Sequence, residues 1–388
     1  MALRGKTRAV VLQAHTVLGW LLVGWWALVG LTGSLLVFYP TVDALLDPGL
    51  RPQRPVASAA PSPEAVLAAL QQHHPQRTGP WRLEMPLHAE APLTARYPRP
   101  AERAQAFFAP LMVTLDPGRL APTSTRFWGD FAVTWVYDLH YTLLLGETGR
   151  TVVGTLGLLG LGALLSGLAL WWPTRARWKD ALRWRWRSGA ARWHFDMHTL
   201  AGAYSAPVLL VLSLSGVALA WPDTTRDLLG LQPMPVPQVA PAPTTTPRLG
   251  LDAIVQRGLD RFPGAELRWV EASYPDSPIG AGRPVVLRLY QPGEPSRRFP
   301  HTRVWLHPHS GALLAVHDPA HQSPGATVQQ WLHPLHNGEA LGLAGRWLAV
   351  LAGLVPAWLG WTGLRRWWLK RQARQRGRPL APSPASPP

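Results

Sequence analysis

The stretch Trp135-x3-Leu139-His140-x5-Gly146-x2-Gly149-Arg150 returns without a gap as Trp331-x3-Leu335-His336-x5-Gly342-x2-Gly345-Arg346. At 26 positions beyond each of these histidines, Ser166-Gly167-Leu168 with Trp171-Trp172 is matched by Thr362-Gly363-Leu364 with Trp367-Trp368. An upstream segment is doubled as well. His15-Thr-Val-Leu-Gly19 is echoed by His198-Thr-Leu-Ala-Gly202, and 17 positions after each histidine come Thr32-Gly33 and Ser215-Gly216. Spacing kept over such lengths does not arise by chance, so the chain carries an internal duplication.

Each motif adjoins an apolar run: Thr16 to Tyr39, Thr151 to Trp172, Thr199 to Trp221 and Leu341 to Leu364. Each run can cross a hydrocarbon core of about 30 Å at about 1.5 Å per residue. Composition agrees, with 47% apolar residues, 21 Trp and only 15% charged residues, where soluble domains have about 25%. The 41 Pro and 35 Gly demand irregular or β structure between the runs.

The expected fold is a membrane α-helical bundle of four transmembrane helices, made from a duplicated helix, domain, helix unit, with two extracytoplasmic α+β domains. Its parts are a cytoplasmic N-terminus (1–14), helix 1 (15–39), a first outer domain (40–139) and helix 2 with an outer extension (140–172). A basic loop (173–193), helix 3 (194–221), a second outer domain (222–332), helix 4 with an outer extension (333–368) and a basic Pro-rich tail (369–388) follow. Ser62-Pro63 reads as a helix start, Leu251 to Phe262 has helical spacing, and Leu111 to Leu120 and Arg303 to Val316 read as strand, turn, strand. Pro233 to Pro247 reads as an extended linker.

A net charge of +16 and a pI near 11.3 would ordinarily raise nucleic acid as a partner. The charge is instead topological. The N-terminus, the loop after the second run and the tail hold 17 bases, from Arg4 to Arg378, with Arg185 and Arg187 among them, against Asp180 and Asp196. Residues 41–139 are neutral and 223–332 carry +1. The positive-inside rule therefore puts both termini and the basic loop in the cytoplasm, and nucleic acid is excluded. The first run is too long for a signal-peptide core and lacks a small-x-small site before Asp43, so it reads as an uncleaved helix.

Topology sorts the repeated histidines. His15 and His198 fall at the cytoplasmic ends of helices 1 and 3, and His140 and His336 at the outer ends of helices 2 and 4. Each side thus offers two imidazoles from different helices, the donor set of a b-type haem. Two non-covalent haem b groups are expected, since a chain without Cys has no thioether or thiolate attachment. Gly19 and Gly202, one turn beyond their histidines, would leave room for a flat macrocycle, and Arg150 and Arg346 would pair with propionates. His194, four residues before His198, and His333, three before His336, are alternative ligands. His301, His307, His309, His317 and His321 read as scattered surface histidines.

Together the repeated motifs, the four helices and the outer modules resemble the PepSY-associated transmembrane-helix family, which includes iron-regulated inner-membrane proteins and ferric-siderophore reductases. The similarity covers about residues 8 to 370 and is most specific in the His-x5-Gly-x2-Gly-Arg and Ser/Thr-Gly-Leu-x-x-Trp-Trp signatures. The resemblance implies PepSY-like outer domains and a dihaem membrane protein, with His15, His198, His140 and His336 at the family's histidine positions. It implies electron transfer outward to a ferric siderophore or another periplasmic acceptor. Some relatives fuse a flavin and nicotinamide module. Here no Gly-rich dinucleotide motif follows Leu364, so a separate donor, a flavoprotein or quinol, is expected. The competing expectation is a membrane-anchored PepSY module that binds peptide or regulates a peptidase without redox activity. A transporter fits less well, because the helices lack internal acids.

Overall fold

Among the described residues four helices are long and apolar enough to cross a membrane: Gly5–Leu36, Gly146–Trp171, Arg192–Ala220 and Glu339–Gln375. The computed structural model describes residues 5–51, 61–88, 91–184, 189–239, 248–274, 277 and 282–376. Arg4, Arg185, Arg187, Arg378, residues 240–247 of the expected linker and the end of the tail lie outside the described residues.

In chain order the first half contains α1 (Gly5–Leu36), α2 (Tyr39–Leu46), α3 (Pro63–His73), β1 (Trp81–Glu84), β2 (Leu93–Tyr97), β3 (Leu111–Leu115), β4 (Pro122–Phe127), α4 (Ala132–Thr142) and α5 (Gly146–Trp171). A short α6 (Trp178–Ala181) precedes the second half. There follow α7 (Ala190–Ala220), α8 (Pro222–Leu228), α9 (Leu251–Asp260), β5 (Glu266–Ala272), β6 (Val285–Tyr290), β7 (Thr302–Leu306), β8 (Leu313–His317), α10 (Pro324–His336) and α11 (Gly342–Arg376). The chain forms two compact units.

The helical unit runs up to Ser34 and takes in Thr155–Val217 and the chain from Trp347. Apolar side chains gain little by leaving lipid, so close backbone approach has to hold such helices together. That approach is visible where a Cβ on Gly30 of α1 would run into the Gly353 carbonyl of α11, and where Ser34 Oγ donates to Val350 O at 2.9 Å. Leu164, Ala206, Leu209 and Ala352 form the buried center.

The other unit, Leu35–Gly154 with Ala218–Arg346, is built on one antiparallel sheet in the order β4-β3-β2-β1-β5-β6-β7-β8. The expectation of two separate outer domains needs correcting on this point. β1 pairs with β5, setting Leu83 opposite Val270, so the modules share one sheet and one core. The reason is the edge: a four-stranded module would leave the amides and carbonyls of β1 unpaired, and joining two such edges satisfies both. Trp81, Leu83 and Val270 are wholly buried at the seam, each side chain worth roughly 1.5–3 kcal/mol or somewhat more for Trp. α3 and α9 cap each other over this face. The Glu64 amide donates to Asp252 Oδ1 at 2.9 Å and the Asp252 amide donates to Glu64 Oε2 at 3.2 Å.

A second correction concerns the helices expected to run unbroken from residues 140 and 333. α4 ends at Thr142, Leu143 and Leu144 take positive φ of 50° and 62°, and α5 starts anew at Gly146 with φ 58°. The second copy breaks between α10 and α11, at Gly338 (φ 76°) and Gly342 (φ 62°). The duplicated glycines record this break. A Cβ at Gly149 would collide with the Thr142 carbonyl, and one at Gly345 with the Gly338 carbonyl.

Candidate functional site

In the helical unit His15 of α1 faces His198 of α7, with ring centroids 6.2 Å apart and planes at 81°. Each ring is held from behind by another helix. His15 Nδ1 lies 3.0 Å from Ala163 O and 3.0 Å from Ser166 Oγ of α5, and His198 Nδ1 lies 3.1 Å from Leu359 O and 3.2 Å from Thr362 Oγ1 of α11. The hydroxyls spend their own protons on helix carbonyls, Ser166 on Ala163 O at 2.8 Å and Thr362 on Trp358 O at 2.8 Å. They and the carbonyls can therefore only accept from the imidazole. That places a proton on Nδ1 and leaves Nε2 as the nitrogen for any further partner in both rings. Gly167 lets the His15 ring lie close against α5, since a Cβ there would meet His15 Cε1 at 3.0 Å, whereas at Gly363 a Cβ would make only ordinary contact with His198 Cε1 at 3.5 Å.

In the sheet-bearing unit His140, in the last turn of α4, faces His336, in the last turn of α10. Their ring centroids are also 6.2 Å apart, with planes at 50°. The backbone breaks that follow both helices carry these histidines on short elements of their own, ahead of α5 and α11.

The alternative ligands lie elsewhere. His194 is 8% exposed and packs against Trp193 at 4.8 Å and Trp361 at 5.1 Å, its Nδ1 buried without a hydrogen-bond partner. His333 packs edge-on against Phe299 at 4.9 Å, and its burial, with Arg298 nearby, pulls its pKa down to about 4. A Cβ on Gly19 would meet nothing within 4 Å, and one on Gly202 only Leu359 Cδ2 at 3.8 Å. Arg150 is paired with Glu147 at 2.5 Å and lies over the Phe107 ring. Arg346 lies over Phe38, its Nε is buried without a partner, and no carboxylate among the described residues is within ion-pair distance. Among the described residues no three His, Asp or Glu side chains converge to hold a metal ion, the histidines of 301–321 included.

Ser166 and Thr362 are the functional residues that sequence reasoning missed. Their letters stand in the duplicated motif, but as hydroxyls beside glycines they read as packing positions. The donor set can be tested against a haem iron. Two imidazoles on one metal, with bonds of about 2.0 Å and ring centers about 1.1 Å behind each nitrogen, set the centroids about 6 Å apart. Both pairs meet that spacing at 6.2 Å, and the acceptors at Nδ1 of His15 and His198 leave Nε2 as the ligating nitrogen.

Comparison with known proteins agrees with this architecture. The chain matches the PepSY-associated TM region over residues 12–370 and belongs to that family. With its four apolar helices it is a multi-pass membrane protein. An uncharacterized protein of Pseudomonas aeruginosa is 26% identical to it over 237 residues, which is 58% of each chain.

Proposed function

We propose that this protein is an inner-membrane electron carrier, both termini cytoplasmic, that takes electrons from a separate flavoprotein or quinol and reduces a periplasmic ferric siderophore. The observation that carries the reading is a repeated geometry, two facing histidine pairs with the same 6.2 Å separation. Haem b, held non-covalently at each pair, would supply reversible one-electron chemistry. The chain's part is to hold the imidazoles neutral and oriented, which Ser166 and Thr362 do for His15 and His198. The first pair is anchored at Ala163 and Ser166 of α5. Reducing ferric iron to ferrous weakens its hold on hard oxygen ligands, which frees it from a chelate. The absorption spectrum of the purified protein is the test. Low-spin b-type bands with two haems per chain, fully extracted by acid acetone, are expected. A colourless, folded preparation from haem-sufficient cells would overturn the proposal and favour the peptide-binding module.

A further inference from the structure

Among the described residues, the face of the sheet turned away from α3 and α9 carries more arginine than its acids pair. Across this face the strand register sets Glu84 beside Trp269, Trp269 beside Arg288, Arg288 beside Arg303 and Arg303 beside His317. Arg96 Nη2 donates to Glu84 at 3.3 Å, and Arg82 Nε donates to Glu271 at 3.0 Å. Those pairs use up the nearest acids. Glu294 is occupied by the Thr302 hydroxyl and the His301 amide, and Asp318 by Gln291 and the Ala320 amide.

Arg288 and Arg303 are left directly opposite each other, and among the described residues neither has a carboxylate within ion-pair distance. The Nε atoms of both are shut off from solvent without a hydrogen-bond partner. Arg303 Nη1 has the Met234 sulfur at 3.9 Å, a weak acceptor, and Arg288 has the Trp269 ring at 4.4 Å. Burial, together with Arg303 nearby, pulls the Arg288 guanidinium down to about 9. Like charges directly across a strand pair are destabilising, and half-buried charges cost stability unless they are paired. An arrangement that costs the free protein stability is what a site for an anion requires.

We propose that Arg288 and Arg303 bind a soluble polycarboxylate anion on this face of the sheet. Two guanidinium forks match two carboxylates, which a monocarboxylate cannot supply. Trp269 beside them packs on Phe299 at 5.7 Å, and Phe299 on His333 at 4.9 Å, three residues before His336. The bound anion therefore stands at the head of an aromatic series that ends on the helix carrying His336. Only its role as an electron acceptor, a carboxylate-bearing chelate, rests on the function proposed above; the binding does not.

Calorimetric titration of citrate and of acetate into the full chain in detergent tests the site, alongside thermal melts and haem content. Saturable citrate binding much tighter than acetate is expected. Arg288→Gln and Arg303→Gln should weaken citrate by about tenfold or more, melt no lower than wild type without citrate, and keep their haem. Arg126→Gln, whose arginine is paired with Asp43, should bind citrate like wild type. Arg303→Lys keeps the charge without the fork and should weaken citrate less, which settles the matter if a Gln variant fails to fold. Equal citrate binding by wild type and the Gln variants overturns the proposal. So does a lower melting temperature without citrate, which would make the arginines structural. Loss of haem from Arg303→Gln would also overturn it, by assigning them to propionates.

Discussion

Ser166 stands to His15 as Thr362 stands to His198: a hydroxyl of a neighbouring helix, 3.0 Å and 3.2 Å from Nδ1, accepting from an imidazole that it also orients. Groups that orient a ligand in this way are worth about 10–100-fold in metal affinity. Ser166→Ala and Thr362→Val should each lower the affinity of haem-depleted protein for added haem within that range. The other histidine pair should be unaffected, as a haem titration followed by absorbance would show.

The ligand assignment is tested by counting. His15→Ala or His198→Ala should leave about one haem per chain, and so should His140→Ala or His336→Ala, whereas His194→Ala and His333→Ala should keep both. A pyridine haemochrome assay per mole of protein decides it. Haem lost from His194→Ala but kept by His198→Ala would refute the assignment.

The direction of the proposed transfer is tested through the same pairs. In inverted vesicles with reductant on the cytoplasmic face, wild type should reduce a ferric chelate trapped in the lumen, and His15→Ala should not. Equal rates would remove the relay and leave any bound haem a structural role.

The four helices were legible because apolar runs of membrane length are a local pattern, and the facing of His15 with His198 and of His140 with His336 could be expected from motifs at matched spacing. The strand pair at 303–316 was legible from its turn residues, whereas of the pair expected at 111–120 only the first strand falls in that range, β4 starting at Pro122. What escaped depends on distant partners. The pairing of β1 with β5 joins Leu83 to Val270, and nothing near either residue announces it. Ser166 accepts from a histidine 151 positions away. Leu143 and Leu144 give no sign of the left-handed backbone they adopt, so the helix break was visible only in Gly146 and Gly149, which read equally well as packing residues.

That break can be probed through its glycines. Gly149→Ala or Gly345→Ala puts a Cβ against a carbonyl of the preceding turn, and overpacking against backbone should cost about 3 kcal/mol or more. Gly19→Ala meets open space and should be neutral or stabilising by up to about 1 kcal/mol through helix propensity. Thermal melts of haem-free protein separate the two classes. If Gly19→Ala lowers haem affinity without lowering that melting temperature, the open space at Gly19 belongs to the cofactor.

The sheet-bearing unit should lose stability on mild acidification because of two half-buried histidines, His301, expected at the surface, among them. Burial pulls both His301 and His333 down to about 4 from an ordinary value of 6.5, with Arg303 and Arg288 adding to the effect on His301 and Arg298 to that on His333. Between these limits the unfolded chain binds protons that the folded chain refuses. Stability therefore rises with pH across the window and is fully present above about 6.5; it falls as the pH drops and levels off below about 4. At about 1.36 kcal/mol per unit, each histidine contributes at most about 3.4 kcal/mol. His333→Gln and His301→Gln should each flatten the dependence of unfolding free energy on pH between 7 and 4.5. Denaturant titrations in citrate-free buffer measure it, since a polycarboxylate bound at Arg288 and Arg303 would stabilise the same unit. A wild-type stability that stays level over that range would show that neither histidine is held neutral by its surroundings.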